Sequence, residues 1–162
     1  MMIAFTQSAF TQLAFFLKYL VLYPFVVSAI AFVTPHANPD LARTITWTVV
    51  THDPLYKVDE LPNHEGERTA ALLVATAAHE SSFRESAVGD GGRSYGYFQL
   101  WERPGLTPLE QATEALRQMR VSLAMCGDMA AYISGRCDVP RAQKLAAMRE
   151  NLSLRIFSEV QR

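Results

Sequence analysis

The chain has 162 residues, 49% of them hydrophobic, which is enough for one domain with a real core. Its formal net charge of -1 leaves no global basic field, so the electrostatic case for nucleic-acid binding falls away. Cys126 and Cys137 form no C-x-x-C motif and have no histidine cluster beside them. A zinc site is therefore disfavoured, no metal is expected, and nothing in the sequence asks for a cofactor.

In chain order, the first element is apolar. Leu13 to Val33 is a run of 21 residues with one charge, Lys18, and one proline, Pro24, long enough to span a bilayer. Ala29-Ile30-Ala31 resembles a signal-peptide exit. However, no Lys or Arg precedes Lys18, and the apolar run continues past Ala31. A membrane anchor is the preferred reading and a cleaved signal the second. A buried core helix is the third, disfavoured because the segment is apolar on all sides. Residues 1–37 are thus expected to be an anchor or signal segment and 38–65 an irregular lead-in. Prolines punctuate the lead-in, and Ile45, Trp47 and Val49 give a strand signal over 43–51.

Residues 66–162 read as helical, so the fold class is all-α with at most a small hairpin. Leu73, Thr76, Ala77 and Glu80 share one stripe at helical spacing, which turns the Glu80 carboxyl toward the protein. Gly89, Gly91 and Gly92 then break the pattern. Thr107-Pro108-Leu109-Glu110 is a capping box with proline at the first helical position. Leu109, Ala112, Leu116, Met119, Leu123 and Cys126 continue that helix. A short helix over 129–134 ends at Gly135. A last one starts near Pro140, with Leu145, Met148, Leu152 and Ile156 as its expected buried side. From Arg136 onward there are six basic and three acidic residues, the mark of a solvated helix face more than of an anionic partner.

The chemistry centres on Glu80. A carboxyl held against apolar side chains keeps its proton toward neutral pH, as a general acid must. His79-Glu80 does not open a metalloprotease motif, because Phe83 stands where the second histidine belongs. The Gly-rich segment lacks the order of a phosphate-binding loop. It delivers Gln99 a short distance from the acid and suggests a sugar-binding wall.

Glu80-Ser81-Ser82-Phe83, Ala87 and Gly92-Arg93-Ser94-Tyr95-Gly96-Tyr97-Phe98-Gln99 closely resemble the lytic transglycosylase and goose-type lysozyme superfamily. Ala131-Tyr132-Ile133-Ser134-Gly135 resembles its Tyr-x-x-Gly element, and 136–155 resembles the basic last helix of phage-type members; together the likeness covers about residues 66–160. The resemblance implies a lysozyme-like helical domain acting on peptidoglycan, with Glu80 as catalytic acid and then base. It implies that Ser94 and Gln99 line the sugar subsite and that Tyr132 approaches and holds Glu80. Tyr95, Tyr97, Phe98 and Trp101 are available for stacking on sugar rings, although at least two are expected in the core.

A hydrolysing glycosidase usually needs two carboxylates, whereas a lytic transglycosylase needs one. Candidates for a second acid are Glu85, Asp90 and Glu102. Asp90 resembles an aspartate that some goose-type hydrolases carry. Those enzymes also tend to carry an aspartate two residues after the glutamine, where Trp101 stands here. The expectation is a transglycosylase, with a hydrolytic lysozyme or a non-catalytic lysozyme-like structural or virion protein as alternatives. Its partners would be glycan strands, and a membrane through residues 13–33. Its place would be anchored or exported to the periplasm or cell wall, of bacterial or phage origin. In such a compartment Cys126 and Cys137 either form a disulfide or remain buried thiols.

Overall fold

The computed structural model describes residues 3–35, 39–56 and 64–162, with side chains from Thr11 onward. Six helices and three short strands follow in the order α1 (Ile3–Val33), α2 (Pro39–His52), α3 (Glu65–Ser81), β1 (Val88–Gly89), β2 (Ser94–Tyr95), β3 (Leu100–Trp101), α4 (Pro108–Cys126), α5 (Ala130–Ser134) and α6 (Pro140–Val160). The architecture is all-α apart from one small antiparallel sheet, in strand order β1-β2-β3. Its register sets Val88 opposite Tyr95, and Ser94 opposite Trp101.

Local chemistry accounts for the helix ends nearest the site. Thr107 and Glu110 form the expected capping box, with the Thr107 N–H donating to Glu110 Oε2 at 2.8 Å. At the other end of α4, Gly127 takes a left-handed φ of 74° and closes the last turn onto the Leu123 carbonyl. Helix α3 ends at Ser82, also left-handed, whose N–H returns to the carbonyls of Ala77 and Ala78.

Two expectations change. Residues 39–52 are helical, where the sequence suggested an irregular lead-in with a strand. Leu41, Ile45 and Val49 recur every fourth residue on a buried face, while Trp47 is 44% exposed. The apparent alternation used two positions of that helical face. The β-branched residues suit a strand by propensity, but burial against the neighbouring helices decides the outcome. The buried Thr46 hydroxyl is satisfied within the helix by the Ala42 carbonyl at 2.8 Å.

The second difference is in α1. Thr11–Val33 has the length and mean hydropathy, 2.0, of a membrane span. Yet Leu22, Phe25, Val26, Ala29 and Ile30 belong to the buried core, and α1 packs on α2, α3 and α6. Residues 22–30 thus contribute to the core, within a helix that keeps the length and hydropathy of a span or signal. Being apolar on both faces does not prevent one of them from being buried. On the earlier part Leu13, Phe16, Leu17, Leu20 and Val21 stay exposed. Lys18, the one charge in the run, donates to the Tyr56 carbonyl and lies over the Tyr56 ring at 4.7 Å.

Helices α3 and α6 form the most extensive pair in the fold. Both bury small residues, including Ala70, Ala71 and Ala77 on α3 and Ala142 and Ala146 on α6. A separate polar knot joins the residue after α2 to α3 and α4: Arg120 reaches both Asp53 oxygens at 2.8 and 2.7 Å, and Thr69 donates to Asp53 at 2.5 Å. The Asp53 side chain is wholly buried, so these donors offset its loss of hydration.

Candidate active site

Glu80 is the penultimate residue of α3, and the apolar stripe beneath it (Leu73, Thr76, Ala77) is fully buried. The stripe carries the carboxyl to the lip of the core, where 18% of the side chain remains accessible. It opens into a cleft of about 410 Å³, of the size of small-ligand sites. Asp90, Ser94, Gln99 and Trp101 line it from the small sheet and its turns. Tyr132 comes from α5, and Arg141 and Arg149 come from α6.

Arg149 holds the acid. Its guanidinium donates to Glu80 Oε1 at 2.6 Å and to the Leu145 carbonyl at 3.1 Å, and only 6% of its side chain is exposed. Three influences act on the Glu80 carboxyl. Burial, the largest, raises its pKa; the charge and hydrogen bond of Arg149 lower it; the nearby charge of Asp90 raises it. The balance is upward from the ordinary carboxylate value. The same arginine and, more strongly, burial lower the pKa of the neighbouring His79.

The turn from β1 to β2 needs left-handed backbone, with φ of 50°, 66° and 93° at Asp90, Gly91 and Gly92. It sets Asp90 to accept a hydrogen bond from the buried Ser94 hydroxyl. Gln99 lines the cleft, but both hydrogens of its amide are spent on the Ala87 and Gly96 carbonyls, at 3.1 and 2.9 Å. It acts here as the clamp of the hairpin. Behind it, Gly96 lies so close to Gln111 that an added Cβ would sit 2.0 Å from Gln111 Oε1. That oxygen accepts the Tyr97 N–H at 2.9 Å.

Several expected site residues sit elsewhere. Tyr97 does not face the cleft: it is 2% exposed, and its hydroxyl donates to Glu85 at 3.4 Å. β2 ends at Tyr95, and the Gly96 turn sends the next two rings, Tyr97 and Phe98, into the core. Glu102 is exposed and outside the cleft lining, and Glu85 lines a different pocket; of the three candidate second acids only Asp90 faces the cleft. Tyr132 lines the cleft, but its hydroxyl donates to the Phe98 carbonyl at 2.8 Å. It ties α5 to the hairpin, and the side chain that grips Glu80 is Arg149. Burial and then the Glu80 charge push the Tyr132 phenol well above its ordinary pKa, so it stays a donor.

Arg149 is the site residue that the sequence reading missed. The expected buried side of α6 ran through Leu145 and Met148, but Met148 is 46% exposed. The buried face is Ala142, Ala146, Arg149, Ser153 and Ile156. It is turned roughly 75° round the helix from the face the larger side chains suggested, and Ile156, expected to be buried, belongs to both. The signal was there: small residues at alternating spacings of four and three, with a single arginine among them.

Cys126 and Cys137 are joined in a disulfide, with 5.3 Å between their Cα atoms. The bridge ties the end of α4 to the approach to α6 and encloses α5, which carries Tyr132. Among the described residues no group of three or more His, Cys, Asp or Glu could hold a metal ion.

Compared with known protein families, with curated proteins and with solved structures, the chain matches none of them.

Proposed function

We propose that this protein is a peptidoglycan lytic transglycosylase that cleaves the β-1,4 bond between N-acetylmuramic acid and N-acetylglucosamine. The observation that carries the reading is Glu80: a mostly buried carboxyl with a raised pKa, gripped by Arg149 and facing a ligand-sized cleft. The family resemblance of 77–99 and 131–135 supplies the substrate.

The chemistry needs one such group. Glu80 gives its proton to the bridging oxygen, and the bond from that oxygen to the muramyl C1 breaks. The carboxylate then accepts the proton of the muramyl 6-hydroxyl as that oxygen closes onto C1, leaving a 1,6-anhydro end. Because the nucleophile is part of the substrate, positioning and proton transfer are all the protein has to provide. Arg149 accommodates the carboxylate half of the cycle by pairing with it.

A second reading, hydrolysis as in a lysozyme, has one observation in its favour: a second carboxylate, Asp90, lines the same cleft as Glu80. Against it, the Asp90 carboxylate is already engaged by Ser94, and Trp101 occupies the position where the comparable hydrolases carry an aspartate. A non-catalytic role would use the Glu80–Arg149 pair only to join α3 to α6, and would not need the acid to open into a ligand-sized cleft.

We place the protein in the cell envelope, reached by export. α1 is apolar enough for a span or a signal, and a disulfide fits an oxidising compartment. A bilayer-spanning α1 would draw Leu22, Val26 and Ile30 out of the core. Docking of residues 22–30 into the body therefore belongs to a form whose α1 does not cross the membrane.

The test is digestion of purified cell wall by the wild type and by Glu80→Gln. The reading requires clearing by the first and none by the second, with equal far-ultraviolet circular dichroism. Clearing by the folded variant overturns it.

A further inference from the structure

One cation in the cleft is left over after the others are paired. Arg149 is committed to Glu80, and Asp90 is engaged by Ser94. Nearby, Arg136 is committed to Asp138 at 2.8 Å. Arg141 follows Pro140 at the start of α6, is exposed, and lines the cleft that Glu80 opens into. It has no hydrogen-bond or ion-pair partner among the described residues.

We propose that Arg141 binds a carboxylate carried by the glycan, and so makes the cleft selective for muramic-acid strands over neutral N-acetylglucosamine polymers. The proposal rests on the glycan-cleaving reading above and adds the feature of the substrate that is recognised. A guanidinium offers a planar fork of donors that matches a carboxylate, and hydroxyls alone satisfy it less well. The remaining charges in the cleft are engaged: Arg149 is held on Glu80, and Asp90 accepts from Ser94. Two carboxylates of a muramyl strand could fill the role, the free lactyl acid or the acids of the stem peptide. Because Arg141 is exposed, the contact is modest in strength and screened by salt.

Binding measured by calorimetry with the Glu80→Gln protein, and again with Arg149→Met added so that Arg149 is not left as an unpaired cation beside Arg141, decides the matter. Three oligosaccharides of equal length serve as probes: a muramyl glycan with its stem peptides, the same glycan after amidase has freed the lactyl acid, and a neutral chitooligosaccharide. Adding Arg141→Gln is expected to weaken binding of at least one muramyl glycan about fivefold, to flatten its salt dependence, and to leave the neutral probe unchanged. Adding Arg141→Lys instead recovers part of the loss. Whichever muramyl glycan loses affinity identifies the carboxylate that is read. Unchanged binding of all three, or an equal loss on all three, overturns the role of Arg141 and leaves the glycan reading standing. No binding of any probe by the Glu80→Gln protein overturns both.

Discussion

Arg149 and Glu80 stand 69 residues apart in the chain and 2.6 Å apart in the fold, one on α6 and the other on α3. The pair joins the most extensive helix contact to the floor of the cleft, so packing and chemistry depend on the same two side chains.

Removing the arginine separates its two effects. Arg149→Met takes away both influences that lower the Glu80 pKa, so the carboxyl becomes still harder to ionise. Activity that needs the protonated acid then persists to higher pH, and the alkaline limb of the pH–rate profile shifts upward. Breaking the buried pair also lowers stability, by about 3 kcal/mol at neutral pH, read from denaturant unfolding. An unshifted limb in a folded variant would remove Arg149 from the control of Glu80.

Glu80 also makes stability depend on pH in an unusual direction. Its folded pKa is raised above the ordinary 4.5, so the folded state holds the proton more tightly than the unfolded chain. The group's contribution is present in full below pH 4.5 and is lost as pH rises through the folded pKa. Wild type should therefore lose stability relative to Glu80→Gln as pH climbs from 4.5 toward neutrality. Parallel unfolding curves for the two proteins across that range would contradict the raised pKa.

The second half of α1 is predicted to be part of the body. Ile30 is fully buried, and Ile30→Ala should cost about 3 kcal/mol through lost burial and the cavity left behind. Leu17→Ala, on the exposed part of the same helix, should change folding stability little. Equal, small effects at both positions would mean that α1 is only an attached segment.

The disulfide closes a short loop around α5, and the chain-entropy model puts its contribution at about 3 kcal/mol. Reduction, or the paired change Cys126→Ser and Cys137→Ser, should lower the unfolding midpoint accordingly. It should also reduce activity, because Tyr132 in the enclosed α5 is tied across the cleft to Phe98. Full activity in the reduced protein would show that α5 holds its place without the bridge.

The parts of this molecule that are legible in the sequence are those set by local rules. The capping box at Thr107, the glycine stop at Gly127 and the inward stripe ending at Glu80 all follow from spacing and backbone chemistry. The parts that were not legible are set by neighbours far away in the chain. Residues 39–52 carry β-branched side chains in partial alternation, and only burial against other helices selects the helix. Tyr97 and Gln99 lie within a motif that suggests sugar binding, yet one is in the core and the other is consumed by its own loop. Arg149 was hidden because large apolar side chains pointed to a different face of α6, while small ones let α6 approach α3.

Mass spectrometry of the fragments released from purified peptidoglycan is the decisive measurement. A single acid at Glu80 working with the substrate's own hydroxyl predicts muropeptides ending in 1,6-anhydro-N-acetylmuramic acid, absent with Glu80→Gln. Fragments with reducing N-acetylmuramic acid ends would instead assign water as the nucleophile, and no Glu80-dependent fragments at all would mean that the cleft does not cut this polymer.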